Sequence, residues 1–353
     1  MKRFKSQHQV SRNDFTKEEI LDAEREAQGN RRKAAAILTG LGRGEVSREL
    51  VRFWLRNIDE SNCHTNTKQS EVSGSEQCSA EGSAGIREAE ARRSGPRVLV
   101  IDIETAPVFG AVWGLFNNFL SLEQVKEDWY IMSYSAKWVG DDTLIYRDQR
   151  NVHPMDNDSE MLQDVWKLLD EADIVVAHNG RRFDTKKINA RFILNGMTPP
   201  SPYRVSDTLE TAKRNFAFTS NKLQYLTDKL CDTKKRSHSK FPGYVLWQQC
   251  LLGNMEAWDE MELYNRDDVL SLEELYLIML PWDDKAPNHG NFVDSDSPVC
   301  PKCGSVHLEL QAKPYRTNVG QYELFLCTMC KGWSRGRKLM NTIEQRRRLR
   351  SAV

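Results

Sequence analysis

The chain has 353 residues, 39 % hydrophobic and 28 % charged, with nine Trp, a size that suits two or three modules better than a single core. No run of eighteen apolar residues offers a membrane span, and the start MKRFKSQHQVSRND lacks the apolar stretch of a secretory signal, so neither a membrane protein nor an exported one is expected. The net charge of zero conceals a division: residues 1–58 hold 13 Lys and Arg against 8 Asp and Glu, residues 300–353 hold 11 against 3, and residues 59–299 hold 26 against 39, giving +5, +8 and −13.

In chain order, residues 1–58 predict three helices, TKEEILDAEREAQ, NRRKAAAILTG and SRELVRFWLRN, the last two joined by GLGRGEV. This module resembles a helix-turn-helix of the Fis or transposase type, which implies a third helix in the major groove with Arg48, Arg52 and Arg56 toward DNA. A small helical bundle for protein docking is the alternative, because the third helix is also strongly apolar. Residues 59–95 are rich in Ser, Glu and Gly, with almost no large apolar side chains, and read as a disordered linker.

Within 96–282, RVLVIDIE is a buried-strand pattern ending in carboxylates, and IMSYSAKWV and DTLIYRD read as the next two strands, antiparallel neighbours. An amphipathic helix, SEMLQDVWKLLDEA, and a short strand, DIVVAH, follow, with helices at about 185–195, 207–214, 222–230 and 256–279. Strands first and then alternating helix and strand predict an α/β fold, a mixed sheet flanked by helices. On the first strand Asp102 and Glu104 are two apart and project from one face, while Ile101 and Ile103 point into a core. Adjacent acids on a buried strand need a counter-charge, which a hard cation supplies through oxygen ligands; at a wet strand end they need none. In HNGRRFD, Asp184 opens a helix, a place that capping alone explains. In YNRDD, Tyr264 and Asp268 share a helix face, and Asp267 competes as a ligand because three residues apart also lies near that face. Phe109, Trp113 and Phe116 follow the first acids; core is the ordinary place for them, and stacking on a terminal base is the other. KKRSHSK at 234–240 is a basic loop suited to backbone contact.

A second linker, 283–298, leads to two CxxC pairs, Cys300 and Cys303, then Cys327 and Cys330. This spacing predicts a zinc ribbon over 299–338: four thiolates give the closed tetrahedral site of one structural Zn²⁺, Gly304 permits the knuckle turn, and LELQAKPYRT and QYELFLC form a hairpin. Residues 339–353 read as a basic tail for nucleic-acid contact.

The order DIE, N-x-x-x-F-D, Y-x-x-x-D resembles the three motifs of the DEDD, or DnaQ-like, 3′→5′ exonucleases, in their tyrosine variant; the resemblance covers about 97–282. It implies an RNase H-like fold and two Mg²⁺ or Mn²⁺ held by Asp102, Glu104, Asp184 and Asp268. Asp102 would bridge both ions, Glu104 and Asp268 would complete one site, and Asp184 would serve the other. Two ions activate a water and stabilise the leaving oxygen. Tyr264 is implied beside them, to orient or deprotonate the attacking water; a free phenol has a pKa of ~10 and needs the metal field to act as a base. Asn179 and Phe183 would help to position the second metal and the terminal nucleotide, Arg181 and Arg182 would reach the scissile phosphates, and His178 is structural or adjacent to a phosphate. The expected activity is removal of 5′-mononucleotides from DNA 3′ ends, single-stranded or frayed, in replication or repair, with a polymerase or other replication protein as partner. An exoribonuclease, and a DNA-binding regulator with a vestigial nuclease domain, are the alternatives. The expected place is the cytoplasm of a bacterial or phage-infected cell. An acidic middle repels a polyanion unless cations neutralise it, and the basic ends attract one.

Overall fold

The computed structural model describes residues 15–27, 31–41, 46, 51, 95–114, 116, 119–233 and 240–351. The chain divides into two compact units, one of Arg97–Met279 and one of Met1–Pro96 with Leu280–Val353. Among the described residues no helix is long and apolar enough to cross a membrane.

At the N-terminus, α1 (Lys17–Glu26) starts at a capping box in which Thr16 accepts from the Glu19 N–H and Glu19 accepts from the Thr16 N–H at 2.7 Å. With α2 (Arg31–Gly40) it closes a small core of Ile20, Ala23, Ala34 and Leu38, to which Val46 and Val51 add. The expected third helix, with Arg48, Arg52 and Arg56, lies outside the described residues apart from Val51, as do the linker up to residue 94 and all of the 234–240 loop but Lys240.

Unit Arg97–Met279 is built on five strands in the order β5-β4-β1-β6-β7: β1 (Val98–Thr105), β4 (Ile131–Trp138), β5 (Leu144–Asp148), β6 (Ile174–Ala177) and β7 (Arg204–Asp207). The first three pair antiparallel, whereas β1, β6 and β7 run parallel, so their carboxyl ends gather on one edge, where open α/β sheets place their sites. Between β1 and β4 sits a short ribbon of β2 (Phe109–Gly110) and β3 (Val125–Glu127). This is an RNase H-like mixed sheet flanked by helices, with an all-α element and a small β ribbon beside it in the chain.

The helices match the expected spans within a residue or two: α3 (Ser159–Glu171), α4 (Asp184–Leu194), α5 (Thr208–Asn215) and α6 (Leu223–Leu230). A further helix, α7 (Val245–Leu251), and β7 carry no strong apolar period and were not expected. The 25-residue α8 (Met255–Met279) crosses the sheet over β1 and β4. Leu99, Ile101 and Ile103 of β1 pack with Leu162, Val165 and Leu169 of α3, while Trp258 and Met261 of α8 pack with Met132 on the other face. The alternation along β1 thus turns Leu99, Ile101 and Ile103 toward α3 and leaves Asp102 and Glu104 on the opposite face.

Two buried ion pairs fix the layers. Asp158 is fully buried; it accepts from the Ile131 N–H at 3.1 Å and from Arg191 Nε and Nη2 at 2.8 and 2.7 Å, tying α3, α4 and β4 together. Although Asp158 precedes α3, its carboxylate does not cap that helix. Lys137 on β4 donates to Glu273 on α8 at 2.6 Å, and both side chains are over nine-tenths buried.

In the other unit, β10 (Gln321–Cys327) is the central strand, with β8 (Leu308–Leu310) and β9 (Tyr315–Arg316) on one side and β11 (Trp333–Leu339) on the other. The sequence suggested a two-segment hairpin within 299–338; SRGRKL at its end adds a further strand as part of β11, whose spaced small and charged residues hide a strand period. The tail proper contains α9 (Ile343–Arg348). The expected linker 283–298 is partly structured: Asp283 and His289 are buried, and the His289 N–H donates to the Pro301 carbonyl at 2.9 Å.

Replacing Arg191 with Met strands the Asp158 carboxylate in the core, and we expect a loss of about 3–5 kcal/mol. Adding Asp158→Leu should recover a substantial part of it. Urea unfolding of the single and double variants measures both, and an Arg191→Met midpoint equal to that of the parent contradicts the assignment.

Candidate active site

Asp102 and Glu104 come from β1, and Asp268 arrives from the middle of α8. One carboxylate oxygen of each lies within 4.8 Å of the others. Three acids that close could hold a hard cation through their oxygens, and such an ion would offset their mutual repulsion. Asp267, the competing residue in the sequence, is not a member of that group, whereas Asp268 is buried.

The helix is placed by Asn265, a fully buried residue that the sequence reading passed over. Its Nδ2 donates to Asp102 Oδ2 at 2.6 Å, and its Oδ1 accepts from the Ser133 hydroxyl at 3.4 Å. One turn before Asp268, half-buried Tyr264 sits edge-on to Trp247 of α7, with ring centroids 6.1 Å apart. Two aromatic residues in T-shaped contact restrict the phenol to one side of the helix. The sequence signal for Asn265 was its place between Tyr264 and Asp268, where an acidic helix face made every polar residue look solvated.

Asp184 opens α4 and is 3 % exposed. On β1 the pairing with β6 covers Val98–Val100, so the Ile103 N–H lies past the end of that ladder, and it donates to Asp184 Oδ1 at 3.4 Å. Burial pushes this carboxyl up to about 7, against the lowering effect of the backbone N–H groups of Asp184 and Ile103 and with Asp207 adding to the rise. The structure thus brings Asp184 against the back of the strand that carries Asp102 and Glu104, while the three-acid group does not include it.

The turn between β6 and α4 has an anchor that the sequence reading did not single out. Asp207, at the end of β7, accepts from the N–H groups of Asn179 (3.0 Å), Arg181 (3.1 Å), Leu209 (3.0 Å) and Glu210 (3.3 Å). One carboxylate therefore caps α5 and fixes the loop before Asp184. Asn179 takes a left-handed φ of 73°, and a Cβ at Gly180 would fall 2.4 Å from that of Ala177, so only glycine fits. Both ring nitrogens of His178 are engaged at 2.9 Å, by the Thr208 hydroxyl and the Asn221 carbonyl, which suits its structural reading.

The remaining candidates are spread over this turn. Arg181 donates to the Val205 carbonyl at 2.5 Å and pairs with Glu210 at 3.2 Å, so its guanidinium is directed along β7 and α5. Arg182 is exposed, and Phe183, 38 % exposed, has Lys187 Nζ 5.6 Å from its ring centre. Core burial, the ordinary place for Phe109, Trp113 and Phe116, is not what the fold gives them. Phe109 is 37 % exposed, and Trp113 and Phe116, with Phe119 and Leu122, are at least 87 % exposed. They follow β1 directly, so the apolar ribbon leaves the sheet from the strand that carries the acids.

In the other unit Cys300, Cys303, Cys327 and Cys330 converge, with sulfur separations of 3.6 Å (Cys300–Cys330) and 3.7 Å (Cys303–Cys327). The Lys302 N–H donates to Cys300 Sγ at 3.4 Å and the Gly332 N–H to Cys330 Sγ at 3.3 Å, offsetting thiolate charge from both knuckles. Gly304 has φ 74°, and Lys331 takes the equivalent place in the second knuckle at φ 63°. Hydrogen bonds among the sulfurs hold the Cys327 and Cys300 thiols below the usual range and Cys303 and Cys330 above it, so a cation is needed for all four to ionise together. A closed set of four sulfurs fits a tetrahedral soft-metal site.

No curated protein matches the chain. Among solved structures, it is similar to the family B DNA polymerase of the hyperthermophilic archaeon Pyrobaculum calidifontis (12 % identity, TM-score 0.39, over 53 % of this chain and 25 % of that one). It is also similar to the RNase D of Trypanosoma brucei (17 % identity, TM-score 0.33, over 62 % and 74 %). The chain therefore spans about a quarter of the length of the polymerase. Residues 121–280, which begin after β1, match the RNase_H_2 model of the RNase_H superfamily, and the chain thus carries an RNase H-like domain.

Proposed function

We propose that unit Arg97–Met279 is a metal-dependent 3′→5′ exonuclease that trims DNA 3′ ends to 5′-mononucleotides, in replication or repair and beside a separate polymerase. The observation that carries this reading is the convergence of Asp102, Glu104 and Asp268 from a strand and a helix far apart in sequence, with Tyr264 one turn away. The donor set suits Mg²⁺ or Mn²⁺: Asp102, Glu104 and Asp268 would hold one ion, and Asp102 with Asp184 would serve a second. Such ions supply charge neutralisation and a more acidic water.

The chain's own residues set the geometry. Asn265 holds the Asp102 carboxylate, the Asp207 cradle holds the turn before Asp184, and the Tyr264 hydroxyl orients the attacking water. Water oxygen bonds to the terminal phosphorus, the bond to the 3′-oxygen of the preceding nucleotide breaks, and that oxygen takes up the proton the water releases. Phe183, the exposed side chain of Arg182 and the apolar ribbon of Trp113 and Phe116 contact a frayed, single-stranded end, where unpaired bases have faces to stack. The four cysteines hold one Zn²⁺ as a structural ion.

The variants Asp102→Ala and Asp184→Ala should abolish release of mononucleotides from a 5′-labelled single strand in Mg²⁺, by a factor of at least ~10³, with a cooperative unfolding transition and the zinc content kept although the thermal midpoint falls, because each change removes a buried hydrogen-bond acceptor. Run in parallel on single-stranded, duplex and mismatched DNA and on matched RNA, the assay reads polymer and polarity together. Faster trimming of RNA would replace DNA as substrate, and binding without cleavage by the parent protein would sink the catalytic reading.

Tyr264→Phe should lower kcat by about 10²-fold with KM nearly unchanged, since a group that only orients the water contributes on the scale of general acid–base catalysis. A kcat equal to that of the parent removes Tyr264 from the mechanism.

Metal analysis of purified protein should give one zinc per chain, lost in Cys300→Ser and Cys327→Ser while trimming activity persists. A disulfide between these cysteines, detected as missing free thiols in the untreated protein, is the opposite outcome.

A further inference from the structure

We propose that the sheet of the cysteine-bearing unit is a binding face for single-stranded nucleic acid, separate from the acidic site and independent of whether that site cleaves. Along β11, Trp333 and Arg335 flank Ser334 and share an exposed side of the strand, and exposed Arg337 follows where the pairing with β10 becomes irregular. The register carries this side across the sheet: Leu326 is opposite Trp333, Leu324 is opposite Arg335, and Tyr322 is paired with Tyr315 of β9. Arg335 confirms the shared side, because its guanidinium carbon lies 4.3 Å from the ring centre of Tyr322 and 5.8 Å from that of Tyr315. Trp333 is 52 % and Tyr315 43 % exposed, so both rings are open to a ligand.

The chemistry of the face selects one occupant. Stacking on two tyrosines holds the guanidinium at the sheet surface, which preorganises a planar cation with further N–H groups to donate. Glu309, opposite Leu326, is the one carboxylate among the residues that the register places on this side, and Glu323 lies on the other, next to Gly336. Residues 300–353 carry eight more Lys and Arg than Asp and Glu, so the occupant is a polyanion. Aromatic rings among cations serve bases as well as phosphates, and only an unpaired strand offers base faces to them; a duplex would meet the cations alone. From Trp333 to Leu339 the strand runs about 20 Å, room for several nucleotides. At its far end the Met340 N–H donates to the Gln321 carbonyl at 2.8 Å, and α9 follows with Arg346, Arg347 and Arg348, which extend the cationic track.

The test uses the full chain without added divalent ions, so that no strand is cut, and measures anisotropy of labelled 12-mers: oligo-dT, oligo-rU and a mixed-sequence duplex. The double variant Trp333→Ala with Arg335→Ala should weaken single-strand binding by at least ~10-fold, with less than about threefold change on the duplex and one zinc per chain retained. Arg335→Lys, which keeps the charge and loses the planar stack, should weaken it by at least ~5-fold. Comparing dT with rU tells which polymer the face favours. Unchanged single-strand affinity in Arg335→Lys, equal losses on single strand and duplex, or no single-strand binding by the parent each overturn the proposal. Should the double variant lose zinc, the Arg335→Lys result decides alone, because that change leaves every cysteine and the charge in place.

Discussion

The acidic site depends on one polar contact inside a packed interface, the 2.6 Å hydrogen bond from Asn265 Nδ2 to the Asp102 carboxylate. A helix laid across a sheet ordinarily buries an apolar stripe. α8 instead turns Asn265, Asp268, Ser271, Glu273 and Glu274 inward, all of them at most 7 % exposed. Groups of this kind destabilise a core unless each finds its partner, so they act as a register lock. Glu273 finds Lys137 and the Gly140 N–H; Glu274 accepts the N–H groups of Asp232 and Thr233 at 2.8 and 2.9 Å. A slide of α8 by one turn would break all of these contacts at once, and Asp268 would leave Asp102 and Glu104.

The same rule separates two kinds of buried acid. Asp158, Asp207 and Glu274 are satisfied by backbone N–H groups or an arginine from other elements, and each joins segments distant in sequence. Asp102, Glu104 and Asp268 converge on one another. Acids that converge repel, and a cation held among their oxygens would offset that repulsion. Asp184 stands between the two kinds: it accepts from backbone N–H groups, yet burial lifts its carboxyl toward neutral pH.

Much of this could be read from the sequence wherever a period or a fixed spacing expressed it. The two-residue step from Asp102 to Glu104 gave a shared strand face, and the paired CxxC gave a four-sulfur cluster, because both depend only on local geometry. The cradle at Asp207 could not be read this way, since it joins residues 28 apart through strands whose order is a tertiary fact. β11 was missed because Gly336 and a run of cations break the apolar alternation by which strands are recognised, and a sheet face that meets a charged ligand has no need of that alternation. Trp113 and Phe116 were misread in the other direction, for large apolar residues enter a core only when an element brings them to it, and a two-residue strand such as β2 does not.

The division of charge gives these local features a common logic. With −13 over residues 59–299 and +8 over residues 300–353, the long-range field of the acidic region opposes a polyanion at low salt, while that of the cysteine-bearing unit favours one. At physiological ionic strength both fields fade within about 8 Å, and contacts that do not depend on charge gain in relative weight. Exposed rings are contacts of that kind. The chain carries them in both units, at Trp113 and Phe116 after β1 and at Tyr315 and Trp333 on the basic sheet. A protein whose charges cancel overall can thus hold a polyanion by placing cations and rings where the strand must lie and leaving the acids for the ions.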